Sequence, residues 1–119
     1  FSRLFGLSDV TMRSLVPKSV TTPIAVSLSD MLGGLSAVTA ISVVFTGIVG
    51  AILLPGFLGA LGVNVSVQMG LSIGTAAHAV GTSRAKELGE TEGAWSGLAI
   101  GVAGLLTAVI VSVGSAIFA

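Results

Sequence analysis

The placement of charge constrains this chain more than any other feature. Its five basic and five acidic side chains are Arg3, Asp9, Arg13, Lys18, Asp30, Arg84, Lys86, Glu87, Glu90 and Glu92. None falls between Asp30 and Arg84, and none after Glu92. A hydrocarbon core about 30 Å thick takes roughly 20 helical residues at 1.5 Å each. The first uncharged stretch therefore holds two crossings at most and the second holds one. An apolar helix can also sit at the centre of a soluble domain, but it then needs amphipathic elements to cover it. With 53% hydrophobic and 8% charged residues in 119, nothing is left over to do the covering, and the chain reads as a lipid-embedded, all-α polytopic protein.

The same numbers exclude other classes. A net charge of zero offers no electrostatic footprint for nucleic acid. With no Cys and one His, there is no disulfide framework, no thiolate or histidine-rich metal site and no cysteine nucleophile, so neither a metal nor a cofactor is expected. Neither a G-x-S-x-G elbow, an H-E-x-x-H pair nor a Walker lysine occurs, which argues against an enzyme and leaves no catalytic residue to assign.

Along the chain, residues 1–14 mix apolar and charged side chains and read as an interfacial segment or the end of a preceding helix, with residues 15–119 as the membrane-embedded core. Pro17 and Pro23 make the stretch from Lys18 to Thr22 irregular, because proline removes an amide donor and disfavours helix just before it. A short helix is expected to restart with Thr22 as its cap and Pro23 first, and to end at Gly33-Gly34. Leu35 to Leu54 reads as a spanning helix whose hydroxyls, Ser36, Thr39, Ser42 and Thr46, bond back to their own backbone. Pro55-Gly56 and the Gly59, Gly62, Asn64 cluster mark a turn region. Ser66 to His78 reads as a helix too short to span, interrupted at Gly81-Thr82-Ser83 before a brief charged helix, Arg84 to Leu88, that Gly89 closes. Ala94 to Phe118 is the last span, with Trp95 at an interface and Gly97-x-x-x-Gly101 as a packing face. That makes about four membrane-embedded segments, two of them interrupted.

Compared with itself at an offset of 60, the chain places Lys18 over His78, with Val20/Val80, Thr22/Thr82, Ala25/Ala85, Gly33/Gly93 and Ser36/Ser96 identical. Both segments are interrupted apolar helices carrying a cationic or ionisable residue, then hydroxyls and a new helix start. Non-helical backbone at membrane depth is tolerated only where protein or a water-filled cavity satisfies it. Half-helices beginning at Pro23 and near Ser83 would present free amides and positive dipole ends to an anion. Lys18, Ser19, Thr21, Thr22, His78, Thr82 and Ser83 supply charge and donors there, a constellation suited to a small carboxylate. Each has a plainer role beside it: a snorkelling Lys18, a packing His78, Thr22 and Thr82 as caps. Glu87 and Glu90 are either solvated loop charges or ion-coupling carboxylates.

Three stretches carry a family likeness: Ser14-Leu-Val-Pro-Lys-Ser-Val-Thr-Thr-Pro-Ile-Ala25, Val44-Phe-Thr-Gly-Ile-Val-Gly-Ala51, and Gly74-Thr-Ala-Ala-His-Ala-Val-Gly-Thr-Ser-Arg-Ala85, followed by Gly89-Glu-x-x-Gly-Ala94. In these the chain resembles the LrgB/CidB family of bacterial polytopic membrane proteins, to which plastid glycolate/glycerate translocators are similar. Members are longer, so the resemblance implies a C-terminal portion. It also implies a bacterial plasma (inner) membrane location. Two functions are described for the family. One is antiholin-like control of murein hydrolase export and lysis with a holin-like LrgA/CidA-type subunit. The other is uptake of pyruvate or, in the plastid relatives, glycolate. The residue chemistry favours small-monocarboxylate transport, with association expected through further helices, a second copy or the holin-like subunit.

Overall fold

One serine cap, two prolines and two glycine stops set several of the element boundaries. The computed structural model describes residues 6–118; residues 1–5, including Arg3 of the segment expected at the interface, lie outside the described residues, as does Ala119. The described residues form five helices and no strand: α1 (Asp9–Leu15), α2 (Thr22–Met31), α3 (Ser36–Ala60), α4 (Ser66–Leu88) and α5 (Glu90–Phe118). Ser8 caps α1, its side chain accepting from the Thr11 amide. Residues 16–20 then form turns, as the two prolines require, and the chain re-enters helix at Thr22. Thr21, not Thr22, occupies the cap position, and it makes no side-chain cap bond.

Both α2 and α3 end in the same device. Gly33 and Gly62 take positive φ, 72° and 79°, which costs a residue without Cβ nothing. The amide of Gly34 then reaches the Ser29 carbonyl and that of Val63 reaches Leu58, closing six-to-one bonds over the last turn. The turn expected at Pro55-Gly56 is displaced as a result. Helix α3 runs through Pro55 to Ala60, because the ring removes one amide bond while the apolar residues beyond it gain by staying helical, and Gly62 supplies the stop.

Among the described residues, only α3 and α5 are long and apolar enough to cross a bilayer. Of their most apolar windows, 17% and 6% respectively is buried within the protein, so neither is the covered core helix of a soluble domain. Outward-facing Ile41, Phe45, Ile52, Leu105, Ile110 and Ile117 are each about two-thirds exposed or more. Such side chains need lipid around them. The molecule measures 43 × 27 × 22 Å, and the long dimension matches a bilayer of roughly 40–45 Å with its headgroups. The fold is a membrane-protein fold with two apolar spanning-length helices and an all-helical remainder.

Helix α4 lies between α3 and α5 and packs through an inner stripe of Gly70, Ile73, Gly74, Ala77, His78, Gly81, Thr82 and Ala85, all buried. The spacing is three and four residues, one face of a helix, but the stripe is small rather than oily. A Cβ on Gly74 would collide with the Ser96 backbone, and one on Gly70 with the Glu92 backbone. This is small-residue packing in which backbones approach directly. The face expected to do it, Gly97-x-x-x-Gly101, has open space at both glycines; α5 instead turns Gly93, Ser96, Ala99 and Gly104 inward. Helix α5 also starts earlier than expected, at Glu90, where Glu90 and Glu92 put negative charge in its first turn, at the positive end of the helix dipole.

Candidate functional site

One stripe of α3 collects both broken helices. Thr39 lies where α1 and α2 meet it: its Oγ1 is 2.8 Å from the Ser14 carbonyl and 2.7 Å from Ser29 Oγ, and all three residues are fully buried. Ser14 Oγ also accepts from the Leu35 amide at 2.7 Å, satisfying a donor at the start of α3. One turn further, Val43 packs with Val20 and Ala25, the residues flanking the first break and the start of α2. One turn further again, a Cβ on Gly47 would stand 3.3 Å from His78 Cε1 and 3.0 Å from Val80. The steps from Thr39 to Val43 to Gly47 are four residues each, about 6 Å of helix rise apiece. The two interruptions therefore dock on adjacent turns of a single helix face.

The second break is a single residue. His78 has φ 40° and ψ −131° inside α4, a conformation that costs a non-glycine residue of order 1–3 kcal/mol. It sits three residues before the expected interruption at Gly81-Thr82-Ser83. Those three are helical, and their contacts give the reason. Gly81 leaves room for Ala77 and Ile73 to pack across the bend, Thr82 Oγ1 pairs with Ser96 Oγ at 2.7 Å in the α4–α5 interface, and Ser83 Oγ donates to the Ala79 carbonyl one turn back. The second half-helix thus starts just after His78, not near Ser83, and Thr82 is an interhelical tie instead of a cap. At an offset of 60, the sequence repeat places Lys18 and His78, each at its own break, over one another.

The imidazole of His78 is 2% exposed. Its Nε2 is a buried side-chain nitrogen without a hydrogen-bond partner, where leaving such an atom unmade costs about 1–3 kcal/mol. Lys18 is exposed in the turn between α1 and α2. Lys18 and His78 thus belong to the two breaks that dock on adjacent turns of α3. Ser19 is exposed beside Lys18, and Thr21 and Thr22 are half-buried at the start of α2. Thr82 is held by Ser96 and Ser83 faces an outer cleft between α3 and α4. Glu87 pairs with Arg84 at 2.6 Å, and Glu90 is exposed at the start of α5.

What sequence reasoning missed is the role of α3. Gly47 and Gly50 admit the bend of α4, a Cβ on Gly50 meeting Ala77, and Thr39 ties α1 and α2 together instead of only bonding back to Leu35. The signal was available in the spacing of Thr39, Val43, Gly47 and Gly50.

A helical membrane protein with a small-residue core and two interruptions sharing one buried helix face is the class this geometry defines. A family model described as the LrgB-like family matches residues 1–117, and the chain belongs to that family. It is 40% identical over 102 residues to the uncharacterized protein YwbG of Bacillus subtilis (strain 168), covering 86% of this chain and 44% of that protein. It is 34% identical over 110 residues to antiholin-like protein LrgB of Bacillus mycoides (strain KBAB4), covering 92% and 48%. The LrgB of Bacillus cereus (strain B4264) is similar to the same extent. The chain thus spans just under half the length of the curated relatives it matches. No solved structure matches it.

Proposed function

We infer that this chain is the membrane-embedded core of an antiholin-like protein of a bacterial plasma membrane, one that restrains murein hydrolase export and lysis together with a holin-like LrgA/CidA-type subunit. The names of the relatives support this reading better than they support transport. The small-residue face of α5 at Gly97 and Gly101, open in this chain, is compatible with further helices around it. The test is to delete the protein and score the timing of lysis and released murein hydrolase activity, with and without the holin-like subunit. Unchanged lysis in both backgrounds removes this reading.

A second reading rests on one specific observation, the buried and partnerless His78 Nε2 at a strained helix break that docks on α3 one turn from the break carrying Lys18. A buried ring nitrogen that finds no partner in the protein is free to bond a bound polar group. Donors at a helix break, with a cation nearby, suit a small monocarboxylate of the pyruvate or glycolate class. In this reading Lys18, Ser19, Thr21, Thr22 and His78 bind the substrate. Thr82 and Ser83, first placed with them, support the break, and Glu87 and Glu90 remain the carboxylates available for ion coupling. Labelled pyruvate or glycolate uptake by His78→Ala and Lys18→Ala cells, against neutral solutes as controls, decides it. Wild-type rates in both variants exclude the site. The two readings are compatible, since a carboxylate-binding membrane protein can also govern its partner.

A further inference from the structure

Between α3 and the second half of α4 lies a cleft of about 420 Å³ lined by Ala51, Ile52, Val80, Ser83, Arg84 and Glu87. At roughly 30 Å³ per water it holds on the order of a dozen molecules. Two outward grooves of similar size are bounded by apolar side chains and one threonine and face where lipid would be. This cleft alone among the three carries charge. Arg84 and Glu87, three residues apart on α4, pair along its α4 side at 2.6 Å while their side chains stay 46% and 65% exposed. The cleft also abuts the buried imidazole. Val80 lines it, and the same Val80 side chain shares the surface of Gly47 with His78 Cε1. Arg84 lies six residues beyond His78, about 9 Å along the helix.

We propose that this cleft is the entry vestibule for a small carboxylate, with Arg84 as its docking residue and Glu87 as the internal carboxylate that the substrate displaces. The assignment rests on the transport reading, extends it to Arg84, which that reading leaves out, and gives Glu87 a docking role there. Guanidinium has five N–H donors in a planar fork that fits a carboxylate at two points. The contact to Glu87 Oε2 engages one terminal nitrogen, Nη1, leaving other donors for an incoming anion. Glu87 repels that anion until it yields its place, so the vestibule selects solutes able to compete for the fork and holds Arg84 in position when empty. Val80 is the aliphatic wall the solute must pass to reach His78.

The test is saturable uptake of labelled pyruvate and glycolate by cells expressing the full-length protein, comparing Arg84→Gln with Glu87→Gln. Both variants lose the same ion pair, so a structural role moves both in one direction. As a docking site, Arg84→Gln raises KM roughly 10- to 100-fold, the worth of a charged hydrogen bond. Glu87→Gln lowers KM, roughly threefold, the size of an exposed ion pair. Saturable wild-type uptake with KM unmoved, or moved in the same direction in both variants, overturns the vestibule and leaves the His78 site standing. Absence of saturable carboxylate uptake by the wild type removes the transport reading itself, and the vestibule with it.

Discussion

The two interruptions do the same thing to the chain by different means. The first spreads over residues 16–20 between Pro17 and Pro23, and a knot of hydroxyls on Ser14, Ser29 and Thr39 ties its flanking helices to α3. The second is confined to His78, has no proline, and is held by close packing of Gly47, Gly50, Gly74 and Gly81 against their neighbours. One break is written into covalent geometry and then repaired with hydrogen bonds. The other is imposed by packing on a sequence that would otherwise continue as helix, and it leaves a nitrogen unmatched. The contrast shows where each half of the molecule is vulnerable: the first to losing a hydroxyl, the second to gaining volume.

Adding volume on the second side has the largest expected effect. Gly74→Leu drives a side chain into the Ser96 backbone, and it should destabilise the protein by about 3 kcal/mol, the upper part of the usual range for overpacking. Gly97→Leu points into open space and should stay within about 0.5 kcal/mol of wild type. Thermal midpoints of the detergent-solubilised proteins compare them. Equal midpoints for the two variants would show that α4 and α5 do not meet along the Gly70-Gly74 face.

The contrast also explains what could be read from the residues alone. Proline changes backbone options locally, so the irregular segment after Pro17 and the restart beside Pro23 were visible without any neighbour. Gly33-Gly34 was legible as a stop for the same reason, since a positive φ is a property of one residue. The bend at His78 is not local. Gly81-Thr82-Ser83 looks like a helix breaker until Ser96 and Ala79 are in place to occupy its hydroxyls. Pro55 misled in the opposite sense, because a single missing amide bond is a small loss to a helix otherwise continuous from Ser36 to Ala60. The site was half legible. Lys18 and His78 stood out as ionisable groups among apolar ones, but the docking of their two breaks side by side depends on the stripe of α3 from Thr39 to Gly47, which has no charge to announce it. Gly97-x-x-x-Gly101 fits the packing motif yet meets nothing, while Gly70-x-x-x-Gly74 does the packing; telling them apart requires knowing which face the partner helix is on.

Removing a hydroxyl on the first side comes next in size. Thr39→Val leaves the Ser14 carbonyl and the Ser29 hydroxyl without a shared partner in a fully buried spot, at a cost of about 1–2 kcal/mol. Thr82→Val breaks a single contact, to Ser96, and should cost about 0.6 kcal/mol, the mean for one interhelical hydrogen bond in a membrane protein. The same thermal midpoints rank them. A Thr82→Val loss as large as that of Thr39→Val would mean the hydroxyl knot is no more than a pair, and the two halves would not differ in the way described.

The last effect is the most diagnostic, because its sign alone decides. In an ordinary helix interior Ala is more stable than Gly by about 1 kcal/mol, owing to the entropy that Gly loses. At His78, with φ 40°, the order should invert. His78→Ala and His78→Gly both delete the imidazole and open the same space beside Gly47, so the packing loss and the relief of the unpartnered nitrogen largely cancel between them. What remains is backbone strain, which Ala retains and Gly releases, so His78→Gly should be the more stable of the two by about 1 kcal/mol. Comparing unfolding midpoints of this pair, with Ala79→Gly against wild type as the reference for a helical position one residue on, isolates the backbone contribution. Ala79→Gly should destabilise by about 1 kcal/mol. If His78→Gly is instead the less stable of its pair, α4 passes through His78 as an unbroken helix, and the second interruption, along with the site built on it, goes with it.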